Sequence, residues 1–212
     1  VNDVLNGVVM NDMCGAGKYC PAGSTAEIDC PPGRASPNSA IGSLEGCPLC
    51  DAGYYCPNSA QTSATLKCPV GSYCPAGTAN FDQAPSATCP AGSFCIEQSE
   101  DHELCAGGTY QDQEGQGTCV DCRAGYYCPT GAVAEIQCPV GHFCPLNSAT
   151  PTVCDAGTYT TTLGLTEQSQ CTSCPESYYC NGGDLSVDEC AAGYFCKGGS
   201  GSQTPTIDLA LY

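Results

Sequence analysis

Residues 122–144 read CRAGYYCPTGAVAEIQCPVGHFC, and this stretch decides the fold. It contains the pattern C-x-x-G-x-aromatic-C twice, opening first at Cys122 and again 16 residues later at Cys138. A glycine and an aromatic residue occupy the same two places between the cysteines each time. A spacing that recurs in this way marks a tandem repeat, in which each copy is one small structural unit.

The same pattern continues in both directions along most of the chain. We number the repeats 1 to 11 by their opening cysteines, which are Cys14, Cys30, Cys50, Cys68, Cys89, Cys105, Cys122, Cys138, Cys154, Cys174 and Cys190. Glycine stands three residues after the opening cysteine in every repeat except repeat 10, which has Ser177 there. An aromatic residue stands five residues after it, except in repeat 2, which has Ala35. The glycine indicates a positive φ or a close backbone approach at one turn position.

Cysteine supplies 22 of the 212 residues, whereas the chain has no Trp, 4 Phe and 2 Met. This composition is typical of a disulfide scaffold rather than of a large apolar core. One ring in each repeat is too sparse to fill a globular core. It is sufficient if neighbouring repeats stack, so that each ring covers the next disulfide.

The cysteines fall into two kinds of repeat. Eight repeats (type A) place their two cysteines as C-x5-C: Cys14/Cys20, Cys50/Cys56, Cys68/Cys74, Cys89/Cys95, Cys122/Cys128, Cys138/Cys144, Cys174/Cys180 and Cys190/Cys196. The other three (type B) carry the second cysteine three residues before the next repeat, which predicts the bridges Cys30–Cys47, Cys105–Cys119 and Cys154–Cys171. Pairing within every repeat uses all 22 cysteines. A crossed pairing of type A repeats, for instance Cys122–Cys138 with Cys128–Cys144, is equally compatible with the sequence.

Charge and hydropathy exclude several classes of partner. Five Lys and Arg stand against 22 Asp and Glu, a formal net charge of −17, so nucleic acid would be repelled. No stretch of eighteen apolar residues is present, which predicts no membrane insertion. The start at Val1, without a basic and apolar leader, predicts a mature secreted chain or a fragment of one.

The sequence contains fragments of zinc-binding, phosphate-binding and catalytic motifs, but none is complete. The C-x2-C pairs, such as Cys119/Cys122, suggest zinc, but the density of cysteines favours oxidation to disulfides in a secreted protein. The run GAGK (15–18) lacks the rest of a phosphate loop. His102 lies in the acidic loop EDHEL (100–104) with no nucleophile signature beside it, and His142 fills the variable position of CPVGHFC. We therefore expect no catalytic residue, no cofactor, no metal site and no enzymatic activity.

The segments CPVGSYCPAGT (68–78), CRAGYYCPTGA (122–132) and CAGGTYQDQEGQGTCVDC (105–122) resemble the ephrin-receptor-like cysteine-rich repeats of large extracellular proteins. More distantly, the cysteine order resembles the cysteine-rich domains of tumour necrosis factor receptors. The resemblance covers residues 14–196. It implies a small disulfide-rich fold, namely an elongated, solenoid-like tandem array of loops and short β-hairpins with little helix. Such an array serves as a stalk, a matrix element or a binding surface.

The two ends lie outside the repeats, as an N-terminal segment (1–13) and a C-terminal tail (197–212). Both carry apolar residues with the pattern of a short strand, which are Val4 and Val8 at one end and Ile207, Leu209 and Leu211 at the other. We expect these residues to contact the next copy in a head-to-tail homopolymer. The alternative is that each end folds back over its own terminal repeat.

Ser, Thr and Pro cluster at residues 148–152, 158–166 and 203–206, where O-linked glycans are one prediction and plain polar turns the other.

Together these features predict a secreted structural protein at a cell or flagellar surface. It would be a rod-like subunit of a fibril, hair or matrix, on the order of 100 Å long if eleven repeats stack in one line. The alternative is a receptor-type binding module that recognises a protein ligand. A protease inhibitor or toxin scaffold is disfavoured, because the repeats show no single distinctive loop.

Overall fold

The structure is a computed structural model that describes residues 3–5, 8–10, 13–81, 88–183 and 187–205. Side chains are described for residues 13–81, 88–183 and 187–205. Two compact bodies are present. The first comprises residues 1–103 and 113–118, and the second residues 104–112 and 119–212.

Both bodies are built from short hairpins. The strands are β1 (Asp3–Leu5), β2 (Val8–Met10), β3 (Lys18–Tyr19), β4 (Ile28–Asp29), β5 (Tyr54–Tyr55), β6 (Leu66–Lys67), β7 (Ser93–Phe94), β8 (Glu103–Leu104), β9 (Thr109–Tyr110), β10 (Val120–Asp121), β11 (Tyr126–Tyr127), β12 (Ile136–Gln137), β13 (His142–Phe143), β14 (Thr152–Val153), β15 (Thr158–Tyr159), β16 (Thr172–Ser173), β17 (Tyr178–Tyr179) and β18 (Asp188–Glu189). Each odd-numbered strand pairs with the even-numbered strand that follows it. Within the described residues, helix is limited to the 3-10 turns Leu44–Gly46 and Gln168–Gln170. The predicted tandem array of disulfide-linked hairpins is confirmed.

One hairpin design recurs in the repeats. The ring residue and the residue before it form the first strand. The two residues immediately before the opening cysteine of the next repeat form the second strand. In repeat 7, Tyr126 pairs with Gln137 and Tyr127 with Ile136. Repeats 2 and 4 keep a single bridge at this place, Arg34 with Leu49 and Ser72 with Thr88. Aromatic and β-branched residues favour extended backbone, but strands of two residues need a further cross-link.

Disulfides supply that cross-link and also the core. The largest fully buried side chains of the described residues are half-cystines, for example Cys30, Cys56, Cys122 and Cys144. Large aliphatic side chains such as Leu146 and Val70 stay exposed. The core therefore consists of separate small covalent clusters rather than one hydrophobic interior.

The segment before repeat 1 forms a hairpin of its own. Strand β1 pairs with β2 in antiparallel register, with Val4 opposite Val9. The sequence pattern predicts one short strand here, whereas the structure has two that satisfy each other's backbone groups. No helix of the described residues is long and apolar enough to cross a membrane.

Candidate functional site

All 22 cysteines form disulfides within their own repeats, and the structure leaves no cysteine free. The type B bridges are Cys30–Cys47, Cys105–Cys119 and Cys154–Cys171. The type A bridges are Cys14–Cys20, Cys50–Cys56, Cys68–Cys74, Cys89–Cys95, Cys122–Cys128, Cys138–Cys144, Cys174–Cys180 and Cys190–Cys196. Paired α-carbons lie 5.8 to 6.1 Å apart, as a disulfide requires. The structure thus chooses the within-repeat scheme over the crossed one.

Consecutive repeats are joined through their main chains. Between repeats 7 and 8, the N–H of Gly125 donates to the carbonyl of Cys144 at 2.8 Å, and the N–H of Cys128 donates to the carbonyl of Ser148 at 2.9 Å. In the opposite direction, the N–H of Asn147 donates to the carbonyl of Cys122 at 3.0 Å. Repeats 7 and 8 thus each donate to and accept from the other, which satisfies backbone groups that the short strands cannot pair.

We call this set of bonds the inter-repeat ladder, and it recurs along the chain. The bond from the motif glycine to the next repeat's second cysteine is made by Gly33, Gly53, Gly71, Gly108, Gly125 and Gly157 to Cys56, Cys74, Cys95, Cys128, Cys144 and Cys180. Where the following repeat is repeat 2 or 9, both of type B, Ser36 or Thr160 stands in the place of its second cysteine. Gly17 therefore donates to Ser36, and Gly141 donates to Thr160. Ser177 keeps the same bond, to Cys196, although it is not a glycine. Backbone groups therefore set the contact, and side-chain identity matters little.

Repeats two apart also touch, at the motif glycine. Gly53 has φ +80°, and a β-carbon there would lie 2.7 Å from the carbonyl oxygen of Gln98 in repeat 5. Gly125 has φ +83°, and a β-carbon there would lie 2.6 Å from the carbonyl oxygen of Gly164 in repeat 9. These distances are shorter than any ordinary van der Waals contact. Both sequence-based explanations of the glycine, positive φ and close backbone approach, therefore hold at once.

At three ring positions the side chain packs on the disulfide of the next repeat. Tyr110 of repeat 6 packs against the buried pair Cys122–Cys128. Phe143 of repeat 8 packs against Cys154 and Cys171. Ala35, which replaces the ring in repeat 2, takes the same place against Cys50 and Cys56. The predicted stacking of rings on disulfides is confirmed at these positions.

A carboxylate caps the turn that follows the opening cysteine in repeat 1. Glu27 accepts from the N–H of Gly15 at 2.8 Å and forms an ion pair of 2.6 Å with the ammonium of Lys18. The hydrogen bond from Lys18, followed by the one from Gly15, lowers the pKa of Glu27. The same hydrogen bond raises the pKa of Lys18. The pair is largely exposed, so its net effect on stability is small.

Repeat 7 carries an equivalent cap. Glu135 accepts from the backbone N–H of Arg123 and from its Nε, both at 2.7 Å, and the guanidinium lies 4.5 Å from the ring centroid of Tyr126. The hydrogen bond to Glu135 raises the pKa of Arg123. In both repeats the carboxylate stands three residues before the next opening cysteine. That spacing is the signal from which sequence analysis could have found the cap, and it was missed.

A second left-handed turn position was also missed. It lies three or four residues after the second cysteine of several type A repeats, where Ala60, Gln98 and Asn147 have φ of 55°, 70° and 61°. The carbonyl oxygens of these residues are the ones that approach the motif glycines two repeats earlier. The residue type varies too much at this position for a sequence pattern to show it.

The structure tests the predicted assembly residues only in part. Ile207, Leu209 and Leu211 lie outside the described residues. Val4 lies in β1 and Val8 in β2, and their side chains are outside the described part. The contact of these residues with another copy stays a prediction. The Ser/Thr clusters include exposed side chains at Thr150, Thr161 and Thr162, and their glycosylation also stays a prediction.

The two histidines have ordinary local partners. His142 Nδ1 lies 3.0 Å from the carbonyl oxygen of Val140, and His102 Nδ1 lies 2.9 Å from a carboxylate oxygen of Asp101. The ring of His102 also lies 5.6 Å from that of Tyr73. Across the described ranges, no group of three or more His, Cys, Asp or Glu has the arrangement of a metal site.

Comparison with known proteins adds one similarity. No protein-family model matches the chain. A stretch of 84 residues, 40% of this chain, is 27% identical to ABC transporter G family member 28 of Arabidopsis thaliana. The chain covers 7% of that protein's length. A similarity of this extent does not show a shared family.

Proposed function

We propose that this chain is a structural module of an extracellular assembly, a cysteine-rich repeat array that self-associates head to tail. The observation that carries the proposal is the inter-repeat ladder. Most repeats bind the next one through three main-chain hydrogen bonds, as Gly125, Cys128 and Asn147 illustrate. A fold in which each repeat packs on the next can be extended by adding further repeats or further copies, since its stability is a sum of nearest-neighbour contacts.

The covalent core supports an extracellular setting. Eleven disulfides, each inside one repeat, are typical of secreted proteins and persist in an oxidising environment. The resemblance to ephrin-receptor-like repeats points to the same setting. The net charge of −17 opposes side-by-side packing, which would bring many like charges together. An end-to-end contact brings fewer charges together, and salt screens those more than about 8–10 Å apart. Thin assemblies that grow at their ends are therefore favoured over sheets.

The test is self-association of the purified oxidised chain without any added partner. Sedimentation velocity over a wide range of protein concentration should show species larger than the monomer, and electron microscopy should show thin filaments. A chain that stays monomeric at every concentration would contradict the proposal. Deletion of residues 204–212, measured beside the intact chain, then tests whether Ile207, Leu209 and Leu211 contribute.

A receptor-type binding module is the second candidate, favoured by exposed apolar side chains in the loops. Val70, Ile96 and Leu146 are each about 60% exposed. Side chains of this kind, surrounded by polar loops, are common at protein-binding surfaces. This candidate predicts a monomer that binds a soluble protein. Capture of a defined ligand by the monomer, without self-association, would favour it over the structural role.

A further inference from the structure

Repeat 11 differs from the other repeats at the face that a following repeat would cover. Phe195 is 67% exposed and Tyr194 is 54% exposed, whereas the ring residues of the nine other repeats that have one are all half-buried. The motif glycine, Gly193, is exposed, and no atom of the described residues lies within 4 Å of the place where its β-carbon would stand. A surface cavity of about 260 Å³ opens at this face, lined by Ser177, Tyr178, Glu189, Cys190, Tyr194 and Phe195. We call this surface the open face of repeat 11.

The internal repeats show what such a face binds. A following repeat covers the ring with its disulfide, as Cys154–Cys171 covers Phe143. The following repeat also supplies two carbonyl acceptors. The carbonyl of its second cysteine accepts from the motif glycine of the preceding repeat, and the carbonyl of its turn accepts from the second cysteine of the preceding repeat. By position, Gly193, Phe195 and Cys196 in repeat 11 correspond to Gly125, Tyr127 and Cys128 in repeat 7.

Repeat 1 carries the complementary groups on the face that a preceding repeat would contact. Cys20, Gly23 and Ser24 stand where Cys144, Asn147 and Ser148 stand in repeat 8. Gly23 has φ +82°, the left-handed turn conformation of this position, and no described atom lies within 4 Å of where its β-carbon would stand.

The cystine of repeat 1 is also less covered than those inside the array. Cys20 is half-buried, whereas Cys144 at the equivalent position is fully buried. A second surface cavity, of about 590 Å³, lies at this face and is lined by Met13, Cys14, Cys20, Ser24, Thr25, Ala26 and Glu27. We call this surface the open face of repeat 1.

We propose, building on the function proposed above, that the open face of repeat 11 binds the open face of repeat 1 of a second copy. The contact continues the inter-repeat ladder from one chain into the next. Gly193 and Cys196 donate their N–H groups to the carbonyls of Cys20 and Ser24, and Phe195 covers the Cys14–Cys20 disulfide. The two faces are unlike, so the contact is heterologous and each copy keeps one face available for a further copy.

The occupant follows from continuity with an interface the molecule already contains. Inside the array, rings at this position pack on the disulfide and main chain of the next repeat, whereas the ring of Phe195 is exposed. A repeat of a second copy can supply the missing disulfide and main chain. The donors and acceptors also match in number and direction. This contact uses repeats 1 and 11 themselves and does not depend on Ile207, Leu209 or Leu211.

A photo-crosslinking residue tests the contact directly. p-Benzoylphenylalanine in place of Phe195 keeps an aromatic ring at an exposed position, so the fold should tolerate it. Irradiation of the assembled, oxidised chain should join it to a peptide within residues 13–27 of another copy, identified by mass spectrometry. A crosslink to the chain's own residues 206–212, to Phe195 of another copy or to any other surface would overturn the proposal.

Paired variants separate this inference from the proposed function. Phe195→Ala should weaken self-association at least about tenfold, as expected for an aromatic anchor at an interface. Leu146→Ala removes an apolar side chain of similar exposure (63%) outside the proposed contact. This variant should change the strength of self-association by less than about twofold. If the wild type associates and both variants associate equally well, the contact is wrong while the structural function stands. If the wild type never associates, the proposed function itself fails.

Discussion

The carbonyl oxygen of Gly164 lies over the α-carbon of Gly125, so close that a β-carbon at residue 125 would be 2.6 Å from it. The two residues belong to repeats 7 and 9 and are separated by 39 positions in the sequence. The approach exists because repeat 8 binds both of its neighbours through the ladder and brings their turns together. The motif glycine is thus required by packing between repeats as much as by its own φ.

Gly125→Ala should destabilise the region around repeat 7 by about 2–5 kcal/mol. Positive φ costs about 1–2 kcal/mol for an alanine, and the clash with a main-chain oxygen adds about 1–3. Gly193→Ala is the matched control at concentrations where the chain is monomeric, because Gly193 has φ +92° and no described neighbour near its β-carbon position, so only the first cost applies. Hydrogen exchange of nearby amides, such as that of Cys138, measures the opening free energy. Equal effects of the two variants would contradict the packing account.

Ser177→Gly should stabilise repeat 10 by about 1 kcal/mol. Ser177 occupies the motif-glycine position with φ 72°, a conformation that costs a non-glycine residue about that much. Ser173→Gly, in β16, is the control and should destabilise by about 0.5–1 kcal/mol, because glycine has more freedom to lose in a strand. Thermal unfolding and hydrogen exchange should show opposite signs for the two changes. Loss of stability in Ser177→Gly would mean that its side chain has a role beyond its backbone.

Phe143→Ala should destabilise the contact between repeats 8 and 9 by about 1–3 kcal/mol, less than for a fully buried ring because Phe143 is half-buried. Phe195→Ala removes the same side chain where it is 67% exposed, and should change the stability of the monomer by less than about 0.5 kcal/mol. Protection of the Cys144 amide, which donates to Leu165, reports on the first contact. Comparable losses in both variants, measured at concentrations where the chain is monomeric, would argue against ring-on-disulfide stacking.

The turn of repeat 1 should weaken on acidification. Lys18 and the N–H of Gly15 hold the pKa of Glu27 below its ordinary value of 4.5. The ionised carboxylate therefore contributes stability above that pH, and the contribution is lost as pH falls through the lowered pKa. Exchange of the Gly15 amide should accelerate beyond its intrinsic pH dependence in that range. Glu27→Gln keeps an acceptor without the charge and should abolish the extra pH dependence; if it does not, another group controls this turn.

Small-angle scattering tests the rod that the repeat count predicts. A monomer stacked in one line should have a radius of gyration of about 30 Å, against about 17 Å for a globule of 212 residues. Excess reductant should expand the chain toward about 50 Å, the value for an unfolded chain, because little apolar core remains without the disulfides. A value near 17 Å before reduction, or no expansion after it, would contradict this account.

The sequence by itself determined the repeat, the type B bridges and the places of glycine and ring. These features are periodic along the chain, and each follows from local chemistry. A glycine that recurs at one turn position points to positive φ, and the type B bridges are the same in the within-repeat and the crossed pairing schemes. The stacking of rings such as Tyr110 on the next disulfide was also predictable, since no other core was available.

Only the tertiary structure decided between within-repeat and crossed type A disulfides. Both schemes use every cysteine, and the choice depends on the distance of about 6 Å between α-carbons such as those of Cys122 and Cys128. The tertiary structure likewise decided the approach of Gly164 to Gly125 and the left-handed backbone of Ser177. These contacts join residues about forty positions apart, or depend on main-chain groups that every residue has. The recurring glycine indicates that such a position exists, but side-chain patterns do not show which main-chain group approaches it, because the geometry of stacking brings those groups together.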